Sequence, residues 1–126
     1  MNDITVWVDD WQMQCCGDPF EVGSQVEWTI VPWTFERPPI DELGAIEYYY
    51  EHHGDADTEV LQLKGTVARI QAVYQRYALD VAENVQKPVA GRLVKYSGIA
   101  DGWTAGQDEY RFSAYLVQLI SCDIVS

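Results

Sequence analysis

The sequence predicts a mainly β protein, a small antiparallel β-barrel or sandwich with about one short helix. Several segments alternate apolar and polar residues with the two-residue period of half-buried strands. Glycine and proline residues separate these segments, and one C-terminal segment is apolar on both faces, which is typical of a central strand. The chain has 126 residues, of which 48% are hydrophobic. We therefore expect a single domain over residues 1–126.

Two strands are predicted in the first third of the chain, at residues 3–11 and 25–33. The turn between them has a structural role. Phe20 and Val22 are expected to plug one end of the barrel, and Gly23 to take the positive φ that turns the chain into the second strand. The apolar residues expected on one face are Ile4, Val6 and Val8 in the first strand and Val26, Trp28 and Ile30 in the second.

The sequence at residues 41–53, DELGAIEYYYEHH, predicts a helix with Asp41 as its N-cap and Gly54 as its stop signal. Three successive tyrosines, residues 48–50, weaken this prediction, and a strand through residues 45–51 is the alternative. Since three neighbouring tyrosines cannot all face one interior, we expect at least one of them to be exposed.

Residues 59–81 fit two patterns. A bent strand with β-bulges accounts for the shifts in apolar parity, and Gly65 suits a bend in a barrel strand better than a helix interior. The alternative is an α+β fold with a helix at residues 61–82. Residues 82–91 are predicted to be a polar connection, followed by a short strand at 92–100.

The last predicted strand is the strongest. Residues 110–125 are apolar on both faces between residues 115 and 120, as a central strand requires. The preceding residues, 101–109, are predicted to be a loop that carries Trp103.

The chain is strongly acidic. Twenty Asp and Glu oppose eight Lys and Arg, which gives a formal charge of −12. Nucleic-acid binding is disfavoured because it depends on cationic side chains that neutralise phosphates. No apolar run is long enough to span a membrane, and the N-terminus lacks the pattern of a signal peptide. We therefore expect a cytoplasmic protein without a membrane or nucleic-acid partner.

The three cysteines are expected to be reduced, because an odd number without an export signal does not suggest a disulfide framework. Adjacent Cys15 and Cys16 lie too close for an ordinary disulfide between them. Either one could pair with Cys122 if the fold brings them together.

Several strings in the chain resemble one family. They are VWVDDWQMQCCGDPFEVGSQVEW, EHHG, KGTVARIQAV, DGW and FSAYLVQLI. The most specific part is the motif Trp-Gln-x-x-Cys-Cys-Gly-Asp-Pro-Phe. Together these strings resemble a family of small proteins of unknown function that is common in actinobacteria. The resemblance covers most of the chain and implies a stand-alone domain and a source group. It implies no activity, cofactor or site residue.

A zinc site is the sharpest chemical hypothesis. Its candidate ligands are Cys15, Cys16, His52 and His53, with Asp18 nearby, and thiolate and imidazole are preferred zinc ligands. The spacing argues against the site, because adjacent side chains on a strand point to opposite faces. The alternative function is therefore that of a zinc protein, in which the metal has either a structural or a hydrolytic role.

The same residues could form a Cys–His pair for nucleophilic catalysis. However, an activated thiolate needs electropositive surroundings, and this stretch is acidic. Phosphate-binding glycine loops and serine-hydrolase elbows do not occur in the chain. We therefore expect no catalytic residue, no cofactor other than the alternative zinc, and no enzyme.

The aromatic residues predict a surface for a partner. Five Trp and eight Tyr are many for this length, and exposed aromatic rings among acidic residues typically bind a protein or a cationic ligand. The residues assigned to this surface are Trp11, Asp18, Tyr48, Tyr49 and Trp103. The first hypothesis is therefore a non-enzymatic binding module for a protein or small molecule. Homo-oligomerisation through an exposed strand edge is compatible with it.

Overall fold

The structure is a computed structural model that describes residues 3–15, 17–51, 60–106 and 109–125. These residues form six strands and one short helix. The strands are β1 (Ile4–Asp9), β2 (Gln25–Pro32), β3 (Tyr48–Tyr50), β4 (Leu61–Asp80), β5 (Val85–Lys95) and β6 (Arg111–Val125), and the helix is α1 (Asp10–Cys15). The mainly β prediction is confirmed. The alternative with a helix at 61–82 is wrong, because β4 fills that range.

The strand pairings form a closed circuit. The sheet order is β2-β3-β1-β6-β4-β5, and β2 also pairs with β4. Five strands therefore make a barrel-like ring, and β5 joins it from outside by pairing with β4. The pair of β1 and β3 is parallel, so the sheet is mixed rather than fully antiparallel.

β4 is the longest strand and pairs with three others. It pairs with β6 along one edge, whereas its other edge pairs first with β2 and then with β5. Register shifts interrupt the pairing with β6, one of them between Lys64 and Thr66. At the residue between them, Gly65, a Cβ would approach the Cys122 Sγ to 3.1 Å. The predicted bent strand with bulges is confirmed.

The interior of the ring holds the main core. Tyr115 lies at its centre, fully buried, and Phe20 contacts the Tyr115 ring at 5.9 Å between centroids. Phe20 is buried and forms an isolated antiparallel β-bridge with Ala100. Val22 was expected beside it, but about half of its side chain is exposed. Gly23 has the predicted positive φ, 95°.

A second core lies on the outer face of the ring. The chain between β2 and β3, residues 33–47, crosses this face and buries Ile40 and Leu43 against the sheet. Glycine makes this approach feasible, since a Cβ on Gly91 would lie 2.5 Å from the Ile40 Cγ1. The other buried members are Trp7, Tyr49, Val73, Ala114 and Leu116.

The predicted helix at 41–53 is wrong for residues 41–51, and residues 52–53 lie outside the described residues. Leu43 and Ile46 pack on the outer face of the sheet, and residues 48–50 pair with both β1 and β2. Contacts distant in sequence therefore override the local helical period, and the alternative strand is the better description.

Two further predictions need correction. The short helix is α1, which follows β1 directly and was not expected there. The polar connection predicted at 82–91 is mostly strand, because β5 begins at Val85 after a turn at 81–84. The Oδ1 atom of Asp80 accepts hydrogen bonds from the backbone N–H groups of Ala82 and Glu83, which closes this turn.

Within the described residues, the one short helix is far from the length that crossing a bilayer needs.

Candidate binding surface

The carboxylate of Asp9 accepts hydrogen bonds from three aromatic side chains. The Nε1–H of Trp7 donates to its Oδ1 at 2.8 Å, and the Nε1–H of Trp11 donates to its Oδ2 at 3.2 Å. The hydroxyl of Tyr49 also donates to Oδ2. Since both carboxylate oxygens are engaged, Asp9 fixes the orientation of three rings.

The local structure explains this convergence. Trp7 and Asp9 share one face of β1 because side chains two residues apart in a strand point the same way. The chain then enters α1, where the Asp10 Oδ1 accepts the Trp11 backbone N–H at 2.8 Å. This tight start brings the Trp11 ring back toward Asp9. Tyr49 reaches Asp9 because the parallel register of β1 and β3 places Tyr49 opposite Trp7.

A buried glutamine donates a hydrogen bond to the Tyr49 hydroxyl. Gln12 is fully buried, and its Nε2 donates to the Tyr49 hydroxyl at 3.2 Å and to the Tyr50 carbonyl at 2.8 Å. Burial raises the pKa of Tyr49, and the hydrogen bond to Asp9 raises it further. The phenol therefore stays protonated and remains a donor to Asp9 at neutral pH.

Further rings extend this arrangement across the surface. Phe35 packs against Tyr49 at 4.9 Å and against Trp33 at 5.1 Å between ring centroids. Trp11 is 48% exposed and Phe35 is 53% exposed. We call the set Asp9, Trp11, Trp33, Phe35 and Tyr49 the Asp9 aromatic surface.

The electrostatic setting of the surface is acidic. Asp10 lies next to Asp9, and burial raises the pKa of the Asp10 carboxyl, an effect that the Trp11 N–H opposes. The charge of Glu51 also acts on Tyr49. The surface therefore combines exposed apolar rings with negative charge.

A family model matches residues 2–121 of the chain and describes a family of unknown function, DUF6578. The chain belongs to the DUF6578 family. No curated protein and no solved structure matches the sequence. The resemblance to a family of unknown function is thus confirmed for this DUF6578 protein, whereas its actinobacterial source stays a prediction.

The DUF6578 fold brings together two of the five residues predicted for a partner surface, Trp11 and Tyr49. Tyr49 is buried and positions Trp11 through Asp9 rather than facing solvent itself. Tyr48 is half-buried and packs against the inner core. The expectation of at least one exposed tyrosine in residues 48–50 is wrong, because the two cores cover both faces of β3.

The other two predicted residues lie elsewhere. Asp18 borders a cleft of about 360 Å³ whose lining includes Trp28 and Tyr50. Its charge adds to the effect of burial, which raises the pKa of Tyr50. Trp103 is largely exposed, on a loop that docks against α1 through a hydrogen bond from the Gln14 Nε2 to the Gly102 carbonyl at 2.7 Å.

Glycine is required at position 102 of this loop. Gly102 has a φ of 89°, in the left-handed region. A Cβ there would lie 2.8 Å from the Cβ of Met13 and 2.9 Å from the backbone nitrogen of Gln14. Only glycine therefore lets the loop approach α1 this closely.

The zinc hypothesis stays a prediction. Cys16, His52 and His53 lie outside the described residues, and no cluster of three or more His, Cys, Asp or Glu suited to a metal occurs among the residues described. Cys15 is disulfide-bonded, so the expectation of reduced thiols does not hold there.

Cys122 carries a free, buried thiol. The pairing of Cys15 or Cys16 with Cys122, left open by the sequence, is therefore not formed. Burial raises the pKa of the Cys122 thiol, which keeps it protonated and suits a core residue.

Sequence reasoning assigned Asp9, Trp33 and Phe35 no place in a partner surface. A signal existed for Asp9, because strand parity places it beside Trp7. No comparable signal existed for Phe35, which lies in a proline-flanked segment without periodicity. Its contact with Tyr49 depends on the path of residues 33–47 over the sheet.

Proposed function

We propose that this protein is a binding module whose Asp9 aromatic surface holds a basic segment of a partner protein. The observation that carries the proposal is Trp11, whose ring is 48% exposed while its indole N–H is bonded to Asp9. The partner segment would place an apolar side chain against Trp11 and Phe35 and a lysine or arginine beside the carboxylates.

Preorganisation supports this role. An exposed side chain usually loses rotamer freedom when it enters an interface, at a cost of about 0.5–1.5 kcal/mol. The hydrogen bond to Asp9 restrains the Trp11 ring before any partner arrives, and Phe35 is restrained by its contacts with Trp33 and Tyr49. Rigid aromatic residues of this kind dominate the energetics of protein interfaces.

The charge of the protein favours a basic partner. The formal charge of −12 attracts cationic segments and accelerates their encounter. A lysine or arginine can also stack on the exposed face of the Trp11 indole. Since the two oxygens of Asp9 already accept three donors, the cation would be held by the overall field and the rings.

Peptide selection tests the proposal. Random displayed peptides are selected on the full chain and counter-selected on the double variant Trp11→Ala/Phe35→Ala. We expect the enriched peptides to combine lysine or arginine with an apolar residue. One enriched peptide is then synthesised, labelled and titrated by fluorescence anisotropy, and each single variant should weaken its binding about tenfold or more.

A matched control uses Val22, which is exposed to a similar extent as Phe35 but lies outside the surface. Val22→Ala should leave the affinity of the peptide unchanged. Enriched peptides without basic residues would overturn the proposal, as would peptides that bind the double variant as tightly as the original chain.

A further inference from the structure

A small pocket on the outer face of the sheet shares no residue with the Asp9 aromatic surface. Its volume is about 310 Å³, near the lower limit for sites that bind small molecules. Residues 42–45 contribute to its lining from the segment that crosses the sheet. The polar lining residues that the sheet itself supplies are Thr5, Arg69, Gln71 and Gln118. We call this the Arg69 pocket.

The strand register places these four side chains on one face. Gln118 of β6 pairs with Thr5 of β1 on one side and with Arg69 of β4 on the other, and directly paired residues share a face. Gln71 lies two positions after Arg69 and therefore points the same way. The intervening Ile70 belongs to the main core, so the four polar side chains point out of the ring.

Several polar side chains of the pocket have unused hydrogen-bonding capacity. In the part of the chain that the structure describes, the Arg69 guanidinium has no ion-pair or hydrogen-bond partner. Within the same residues, the side-chain amides of Gln71 and Gln118 are also unbonded. The acidic lining residue is engaged instead, because the Glu42 Oε1 accepts the Leu93 backbone N–H at 2.9 Å.

This set of donors suits a carboxylate. The planar guanidinium of an arginine carries five N–H donors and binds a carboxylate through two parallel hydrogen bonds. The amides of Gln71 and Gln118 add neutral donors beside Arg69. Leu93 and Leu116 also line the pocket, and they can contact a short hydrocarbon part of a ligand.

The charge of the protein restricts the ligand further. The formal charge of −12 repels anions at a distance, so binding depends on direct contacts. Arg69 is the one cation among the described lining residues, and it balances one negative charge, whereas Glu42 opposes a second. We propose that the Arg69 pocket binds a small monocarboxylic acid, whose carboxylate pairs with the Arg69 guanidinium.

Propionate tests the proposal, because it combines one carboxylate with a short apolar part. The isotope-labelled full chain is titrated with sodium propionate at neutral pH and constant ionic strength, and two-dimensional NMR follows the side-chain amide signals of Gln71 and Gln118. We expect saturable shifts with a dissociation constant in the millimolar range, because so small a ligand makes few contacts. Propionamide, which has the same shape and no charge, should cause no saturable shift.

Substitutions of arginine separate local recognition from total charge. Arg69→Gln should weaken propionate binding about tenfold or more, because it removes charge-assisted hydrogen bonds. Arg76→Gln is the matched control, since it removes the same charge from the same strand outside the pocket, and it should leave the affinity nearly unchanged. Arg69→Lys keeps the charge without the planar fork and should bind with intermediate affinity. The double variant Trp11→Ala/Phe35→Ala should bind propionate normally, so this proposal and the proposed function fail independently.

Glu42→Gln tests the sign of the ligand charge. The substitution removes a negative charge from the pocket and keeps a side-chain oxygen that can accept the Leu93 N–H. The affinity for propionate should rise about twofold to fivefold. A lower affinity in this variant would contradict the binding of an anion at Arg69.

Three further outcomes would refute the carboxylate site. The first is the absence of saturable shifts at Gln71 and Gln118. The second is an equal loss of affinity in Arg69→Gln and Arg76→Gln. The third is binding of N-acetyl-alanyl-alanine that depends on Arg69 while propionate does not bind, which would assign the pocket to the C-terminus of a peptide.

Discussion

The hydroxyl of Tyr49 donates a hydrogen bond to the carboxylate of Asp9, although 40 positions separate the two residues in the chain. The parallel pairing of β1 with β3 makes this contact possible. Asp9 is the last residue of β1 and directly precedes α1, and Tyr49 belongs to the second core. The hydrogen bond therefore ties the β1–α1 junction to that core. The Asp9 aromatic surface therefore depends on long-range pairing rather than on a local motif.

Removal of the Tyr49 hydroxyl should destabilise the fold. Tyr49→Phe deprives Asp9 of one donor and leaves the Gln12 amide without one of its acceptors. We expect the free energy of unfolding to fall by about 1–3 kcal/mol, measured by urea denaturation. Tyr48→Phe is the control, since the Tyr48 hydroxyl makes no hydrogen bond within the described residues; its effect should stay within about 0.5 kcal/mol. Equal losses in both variants would contradict the role assigned to Tyr49.

Tyr49 should also make the protein sensitive to alkaline pH. Burial raises its pKa above the ordinary value of 10.0, so the unfolded chain releases the phenolic proton at lower pH than the folded chain. The folded state then binds more protons, and the free energy of unfolding decreases as the pH rises above about 10. Tyr49→Phe should make this decrease shallower, while its difference from the original chain stays constant between about pH 7 and 8.5. An unchanged alkaline slope would refute the prediction.

Two glutamines of α1 provide a matched test of burial. Gln12 is fully buried and donates to the Tyr50 carbonyl, whereas exposed Gln14 donates to the Gly102 carbonyl. Methionine is similar in size and compatible with a helix. Gln12→Met should cost about 1–3 kcal/mol, because it leaves a buried carbonyl unsatisfied, and Gln14→Met about 0.5–1.5 kcal/mol. The reverse order in thermal or urea unfolding would show that Gln12 does not hold this part of the fold.

Glycine substitutions test the path of residues 33–47 over the sheet. Gly91→Ala places a methyl group 2.5 Å from the Ile40 Cγ1 and 3.1 Å from the Tyr74 carbonyl oxygen. We expect a loss of about 1–3 kcal/mol of stability. Gly44→Ala is the control, since a Cβ there meets nothing within 4 Å, and it should be neutral or stabilising by up to about 1 kcal/mol. If Gly91→Ala is as mild as its control, this segment does not pack where the structure places it.

Strand periodicity was a sound guide wherever a strand has one buried and one wetter face. The alternation in residues 25–33 predicted β2, and the parity shifts around Gly65 predicted the bends of β4. It was a poor guide in the short strand β3, where both faces are covered. Residues 48–50 gave a weak helical pattern because Tyr49 faces the outer core while its neighbours face the inner one.

The candidate site divides in the same way. Strand parity already placed Trp7 and Asp9 on one face, and the composition pointed to an acidic, aromatic surface. Neither strand parity nor composition could identify Phe35 as a member of the Asp9 aromatic surface or show that Tyr49 is buried. Asp18 and Trp103 were grouped with Trp11 by residue type, and the fold separates Asp18 into a cleft of its own.

The sequence by itself determined the β class, the acidic charge and the faces of the long strands, because side-chain alternation and composition are local properties. The tertiary structure alone decided that the strands close into a ring, that residues 33–47 build a second core, and that three rings meet at Asp9. Those features depend on pairing between residues far apart in the chain, and local periodicity does not record which distant strand a segment will meet.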